Sequence, residues 1–196
     1  MKEYMIPAVS AVDWTKAGKQ SIDECVWSPN AAPAATVQAL FVEGEGLYFR
    51  LESAAAPTRA ENTEADSAVW EDSCLECFLS FDNKSYVNLE SNAKGALRAS
   101  VGTERHGRKF LKDMSIPMPK TQPGLTEKGW EMVFSISCEA VEAIWGAKLE
   151  KGLSFTGNFY SCGDKTPSPH YASWSPIDTP APDFHRPDFF GKLTIA

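Results

Sequence analysis

The chain has 196 residues, with 19 Lys+Arg against 26 Asp+Glu and a formal net charge of −7. That length suits one domain spanning residues 1–196, and 43 % hydrophobic residues suffice for a core. The acidic balance lacks the basic footprint that phosphate backbones demand, so nucleic acid is not an expected partner. No run of about 18 apolar residues occurs, so membrane insertion is not expected either. The first residues, Met1 to Pro7, lack the basic and continuous apolar regions of a signal peptide, which leaves both a cytoplasmic and a processed chain open.

In chain order, period two dominates. Thr36 to Glu43 is β-rich, Gly44-Glu45-Gly46 reads as a hairpin turn, and Leu47, Phe49 and Leu51 then alternate with Tyr48, Arg50 and Glu52. Ala54 to Asp66 reads as a long loop. Three further runs, Leu75 to Phe81, Val87 to Asn92 and Leu97 to Val101, are joined by two turns, which predicts an antiparallel meander. After a polar link from Gly102 to Lys128, Trp130, Met132, Phe134 and Ile136 give another strand. One short helix follows, capped by Ser137, carrying Val141, Ile144 and Trp145 on one face and ended by Gly146. Leu153 to Cys162 is β-like, Thr166 to Pro187 is irregular, and Phe189 to Ile195 closes the chain as a strand. Many short strands with one helix predict an all-β antiparallel sandwich, with a barrel as the fold alternative.

Cross-strand partners share a face, so the meander also predicts side-chain neighbours. Phase matching puts Phe78 opposite Asn88, Glu76 opposite Glu90, Cys74 opposite Asn92, and Glu90 opposite Arg98. Two directly opposed carboxylates repel, and Arg98 is placed to offset them. A row of carboxylate, guanidinium and carboxamide also suits sugar hydroxyls, each of which donates and accepts; a solvated charged sheet face is the plainer reading. Of the six tryptophans, Trp130 and Trp145 fall on apolar faces, and Trp14 and Trp27 lie in weakly patterned segments. Trp70 and Trp174 stand among polar, loop-like neighbours, where an indole offers a flat face to the C–H face of a pyranose or plugs the end of a sandwich.

Other chemistry is thinner. The five cysteines are Cys25, Cys74, Cys77, Cys138 and Cys162, an odd and scattered set. Cys74 and Cys77 have CxxC spacing but point to opposite faces of a strand, so two buried structural cysteines are expected rather than a zinc site. The loop acids Glu61, Glu64, Asp66, Glu71 and Asp72 offer oxygen ligands for Ca²⁺ without a defined spacing. No nucleophile elbow, zincin, Walker or dinucleotide pattern occurs. Two rival functions stay open: a glycoside hydrolase using Glu76 and Glu90, and a haem-binding sandwich drawing on His106, His170 and His185 with Met114, Met118 and Met132.

Three strings carry a resemblance: Val69-Trp70-Glu71-Asp72-Ser73-Cys74-Leu75-Glu76-Cys77-Phe78-Leu79-Ser80, then Asn88-Leu89-Glu90-Ser91-Asn92-Ala93-Lys94-Gly95, then His170 to Pro176 with Pro182 to Gly191. From about Trp27 to the C-terminus the chain resembles family 9 carbohydrate-binding modules. The resemblance implies an antiparallel β-sandwich that is not an enzyme and clamps the reducing end of an oligosaccharide or polysaccharide between two tryptophans. Trp70 and Trp174 match those two, and Glu76, Glu90, Asn92 and Arg98 fall where polar ligand contacts are expected. It further implies structural calcium in some members, no required cofactor, an extracellular or periplasmic setting, and association with polysaccharide degradation, xylan included. Trp70 and Glu76 are six residues apart, about 20 Å in an extended strand, so both touch one sugar only if the chain bends near Glu71 to Ser73.

Overall fold

The structure is a computed structural model that describes residues 2–25, 27 and 32–196. In chain order the strands are β1 (Glu3–Ile6), β2 (Ala8–Val9), β3 (Gln20–Ile22), β4 (Ala35–Val42), β5 (Gly46–Ser53), β6 (Cys74–Ser80) and β7 (Tyr86–Asn92). There follow β8 (Leu97–Gly102), β9 (Lys109–Phe110), β10 (Lys120–Leu125), β11 (Trp130–Ser137), β12 (Ser154–Cys162), β13 (Tyr171–Ser173) and β14 (Gly191–Ile195). The helix α1 spans Cys138–Trp145.

Two mostly antiparallel sheets face each other. One runs β1-β14-β12-β6-β7-β8-β9 with β13 also on β12; the other runs β10-β11-β5-β4-β2 with β3 also on β4. The sheets remain separate, so the architecture is a sandwich and not a barrel. Alternation along each strand supplies the core: Leu47, Phe49 and Leu51 of β5 and Met132, Phe134 and Ile136 of β11 meet Leu75, Cys77, Leu79, Leu89 and Phe159 of the other sheet. Phe49 and Phe159 join the two layers with ring centroids 5.5 Å apart.

Local chemistry sets the helix as expected. The Ser137 hydroxyl accepts from the Ala140 N–H at 3.1 Å. Gly146 ends the helix in the left-handed region at φ 68° and donates to the Glu142 carbonyl.

The meander registers agree residue for residue with the pairing inferred from alternation: Phe78 with Asn88, Glu76 with Glu90, Cys74 with Asn92, and Glu90 with Arg98. The outer face they form is not solvated, because β6 and β7 are buried along their whole length on both sides. Loops between β8 and β9 and after β12 and β13 cover it.

Several short elements lie where sequence alternation is weak. Strands β1, β2 and β3 precede the first strand expected, β10 lies inside the polar link, and β13 lies inside the irregular stretch. The closing strand begins at Gly191, because Pro187–Phe189 forms a 3₁₀ turn.

Candidate functional site

A cleft of about 520 Å³ lies on the outer face of β6, β7, β8 and β12. Pockets of that size take small-molecule ligands. Its floor is the predicted row, with Glu76, Glu90 and Arg98 joined by Asn88 of β7 and Cys162 of β12. The loop after β8 adds Arg105, His106 and Arg108, and the segment from Pro182 to His185 closes the other side.

Trp70 reaches this floor because the chain bends where it must. Val69–Glu71 is a single 3₁₀ turn in which the Asp72 N–H returns to the Val69 carbonyl at 3.1 Å. The bend brings Trp70 and Glu76 to one cleft. Trp70 is half-buried, and the Arg98 guanidinium lies 4.9 Å from its ring centroid and 5.0 Å from that of Phe110. The indole therefore carries a cation on one face.

Trp174 is placed elsewhere, which corrects the two-tryptophan arrangement expected from sequence. It is 0 % exposed and packs in the core, with Tyr4 and Phe159 at ring-centroid distances of 6.5 and 5.6 Å. Gly191 is pressed against it so closely that a Cβ there would meet the indole at 2.3 Å. The polar neighbours that made Trp174 look like a loop residue are themselves buried and satisfied. Ser173 donates to the Ser175 carbonyl at 2.8 Å, and the Ser175 N–H donates to Asn158 Oδ1 at 2.8 Å. Aromatic surface beside Trp70 comes instead from Tyr171 and Phe184, which pack with it on a small cluster of Val69, Cys74, Ala96 and Cys162. Phe184 is held by stacking on Tyr160 at 4.1 Å.

Asn92 is the second correction. It is fully buried and does not line the cleft. Its Nδ2 donates to Asp72 Oδ2 at 2.8 Å and to the Asn62 carbonyl at 2.6 Å, while its Oδ1 accepts from the N–H groups of Lys94 and Ala96. With all of its polar atoms engaged, Asn92 holds the turn that carries Trp70 and has nothing left for a ligand.

The cleft's electrostatics follow from the opposed pair. Glu76 and Glu90 are 3 and 4 % exposed. Burial, and then the charge of Glu90, push Glu76 well above the usual carboxylate range, against a thiol hydrogen bond from Cys162 at 3.0 Å. Burial also raises Glu90, but Asn88, Arg98 and Arg108 pull back. The opposed pair thus holds on to a proton between its two carboxyl groups, giving a donor beside an acceptor. Asn88 donates to Glu90 and accepts from Ser100 at 2.6 Å and from Arg108 Nε at 3.0 Å, so one carboxamide ties Arg108 to the row. Burial and the surrounding arginines push His185 down to about 3, and its Nδ1 pairs with the Tyr86 hydroxyl at 2.9 Å. Asp164 is hydrogen-bonded by Tyr171, and Asp183 faces Arg105 at 3.6 Å.

The sequence reading named Glu76, Glu90, Arg98 and Trp70 in the site, and these four line one cleft. It assigns no sugar contact to Tyr171, Phe184, His185, Arg105, Arg108 or Asp164, which lie on or beside irregular loops where no period reports facing, and considers His185 only for haem. The loop acids proposed for calcium do not gather as a group of three ligating side chains among the described residues. Asp66 carries Lys112 at 2.8 Å and Asp72 carries Arg59 at 3.1 Å. Of the groups considered for haem, Met132 is in the core and Met118 is exposed.

The structure is a β-sandwich whose outer-sheet cleft pairs aromatic surface with mixed donors and acceptors, a lining that suits a carbohydrate. The chain belongs to carbohydrate-binding family 9, a family of non-catalytic modules, whose profile matches residues 7–195. A search of curated proteins finds no match. Among solved structures, the chain is similar to a candidate carbohydrate-binding protein from Bacteroides uniformis ATCC 8492, with 26 % identity, a TM-score of 0.83 and coverage of 100 % of this chain and 99 % of that one. A family 9 module from Caldicellulosiruptor kristjanssonii in complex with cellotriose gives 13 % identity, a TM-score of 0.71 and coverage of 99 and 93 %. The same module's glucose complex gives 13 % identity, a TM-score of 0.72 and coverage of 100 and 96 %. At 13 % identity that likeness shows the fold.

Proposed function

We propose that the cleft over β6, β7, β8 and β12 binds one terminal unit of an oligosaccharide or polysaccharide. The observation that carries this is the convergence of Trp70 with the Glu76, Glu90, Asn88 and Arg98 row in a family 9 sandwich. Because Arg98 takes one face of the indole, a pyranose stacking on Trp70 uses the other. Trp174 has no part in that contact, so the partner surface is Tyr171 and Phe184. The proton held by the Glu76 and Glu90 pair donates to a ring hydroxyl while the other carboxylate of the pair and Asp164 accept, which fits hydroxyls that do both. The Glu76 and Glu90 pair is tied to Cys162 and Asn88, and a binding role suits it better than acid/base work. A setting outside the cytoplasm, in the service of polysaccharide breakdown, is consistent with this reading.

Titration calorimetry tests it against glucose, cellotriose, xylotriose and reduced, ring-opened counterparts of each. Heat of binding lost in Trp70→Ala supports the site, and loss on reducing the terminal unit supports reducing-end recognition. The absence of heat for the wild type across a broad panel of neutral and acidic sugars would overturn the proposal.

A further inference from the structure

Strand alternation places Cys74 and Glu76 on the same face of β6, and antiparallel register sets Cys162 of β12 directly opposite Cys74. The two sulfur atoms and one carboxylate oxygen all lie within 4.8 Å of one another, and all three side chains are buried. Among the described residues this is the one group of three or more ligating side chains so gathered. The CxxC partner Cys77 does not belong to it, since it points the other way into the core.

We propose that Cys74, Cys162 and Glu76 bind a borderline-soft divalent cation, Zn²⁺, with its fourth coordination position open to the cleft. Two thiolates and a carboxylate are a donor set for zinc, whereas calcium and magnesium take oxygen alone. Tetrahedral zinc with bonds of about 2.3 Å to sulfur holds two sulfurs about 3.8 Å apart, so the side chains need to contract by no more than ~1 Å. Glu76 and Cys162 line the cleft, while Cys74 and Cys162 line a second cavity of about 250 Å³ behind it. Cys162 is common to both linings, so the cluster lies between the cleft and the second cavity.

A second observation points the same way. Among the described residues the Glu76 carboxylate receives its hydrogen bond from a thiol alone, at 3.0 Å, although Glu90 stands opposite it. The nearby arginines Arg98 and Arg108 act on Glu90. Glu76 is therefore a buried acid facing two ligating sulfurs, with the charge of Arg105 nearby but no hydrogen bond or ion pair to a cationic side chain among the described residues.

The charge balance closes. Without metal both thiols are neutral, Cys74 being pushed up to about 12 by burial. One Zn²⁺ displaces two thiol protons and leaves the local charge unchanged when Glu76 is ionised; when Glu76 is protonated, a third proton leaves. Two or three protons per ion make binding steeply stronger with pH, about a hundredfold or more per pH unit below the thiol range.

The proposal does not depend on the sugar reading, and its test contains no sugar. Reduced, metal-free full-length protein is titrated with Co²⁺ and then with Zn²⁺. One Co²⁺ per chain should give a thiolate-to-cobalt charge-transfer band and intense tetrahedral visible bands, both bleached by Zn²⁺, with at least two protons released per Zn²⁺ in weak buffer. Cys74→Ser and Cys162→Ser should abolish the charge-transfer band, Glu76→Gln should weaken binding at least tenfold, and Cys25→Ser and Cys138→Ser should change nothing. If the two serine variants do not fold, X-ray absorption of the wild-type zinc complex decides, and two sulfur neighbours support the site. No charge-transfer band, a first shell of nitrogen and oxygen alone, or a Cys74–Cys162 disulfide that on reduction still yields no metal binding overturns it.

Discussion

Glu76 and Glu90 lie directly opposite each other on adjacent antiparallel strands, and both are almost completely buried. A buried pair of this kind keeps a proton that the unfolded chain releases, and the sign of the consequence is fixed. Glu76 has a folded pKa above its unfolded value, so above about pH 4.5 the native state binds the extra proton and stability falls as pH rises, by about 1.4 kcal/mol per pH unit for one retained proton, until Glu76 ionises. Glu76→Gln keeps an acceptor for the Cys162 thiol and removes the titration. Denaturant unfolding at pH 4 and pH 8 should show the variant gaining stability relative to wild type at the higher pH. An unchanged difference between the two pH values would mean that the pair is not coupled as described.

Trp70 and Trp174 are separated by role, and substitution should divide them. Trp70→Ala is expected to lower sugar affinity by tenfold or more, a loss of about 1.4 kcal/mol or greater, with little loss of stability. Trp174→Ala empties a site in the core walled by Tyr4, Phe159 and Gly191, and should cost about 3–5 kcal/mol of folding stability. Calorimetric binding and thermal unfolding of both variants give the comparison. Should Trp174→Phe, which preserves most of the packing, lose sugar binding while Trp70→Ala retains it, the placement of the cleft is wrong.

Asp72 follows directly on the turn that carries Trp70 to the row. Its carboxylate accepts from the backbone N–H groups of Glu61 and Asn62 at 3.1 and 3.0 Å and from Asn92 Nδ2 at 2.8 Å, and Arg59 stands beside it. Burial alone would raise its pKa, but these donors together hold it below the usual carboxylate value. Its contribution is therefore present above about pH 4 and fades as pH falls through the lowered value. Asp72→Ala leaves several buried donors unpaired and should cost about 3–5 kcal/mol. Asp72→Asn, which keeps one acceptor oxygen, should cost less and weaken sugar affinity by loosening the turn. Unaltered affinity in a folded Asp72→Asn variant would show that the turn does not position Trp70.

What was legible follows from where period two is strong. The register of β6, β7 and β8 is legible in the sequence because hydrophobic residues on one face lock the phase, and phase fixes which polar residues meet. Glu76, Glu90 and Arg98 came with it. Trp174 departs from expectation because the polarity of Ser173 and Ser175 suggests exposure, and Asn92 because a place on the polar face of β7 does not tell cleft from turn, whereas Ser173, Ser175, Asp72 and Asn92 are buried and satisfied by one another or by backbone. Tyr171, Phe184 and His185 stand on or beside irregular segments whose path is set by tertiary packing, such as Phe184 on Tyr160, and sequence spacing carries no record of that. The pairing of Cys74 with Cys162 required the β6–β12 register, which links segments too distant for alternation to align.

His185 supplies an opposing pH dependence on the acid side. Burial and the Arg108, Arg105 and Arg98 charges push it down to about 3, while the unfolded chain titrates near the usual 6.5. Between those values the unfolded state binds the extra proton, so stability drops as pH falls from about 6.5 toward 3, again by up to about 1.4 kcal/mol per pH unit. His185→Gln preserves an acceptor for the Tyr86 hydroxyl, which reaches Nδ1 at 2.9 Å, and cannot take up a proton in this range. Its unfolding free energy should decline less steeply than wild type between pH 6.5 and pH 4, and the two should converge in slope above pH 7. Because the histidine closes the cleft beside Phe78, protonation should also loosen the roof, and sugar affinity in the wild type should fall below about pH 4 more sharply than in the variant. Parallel stability profiles for the two proteins would place His185 in water rather than against the arginines.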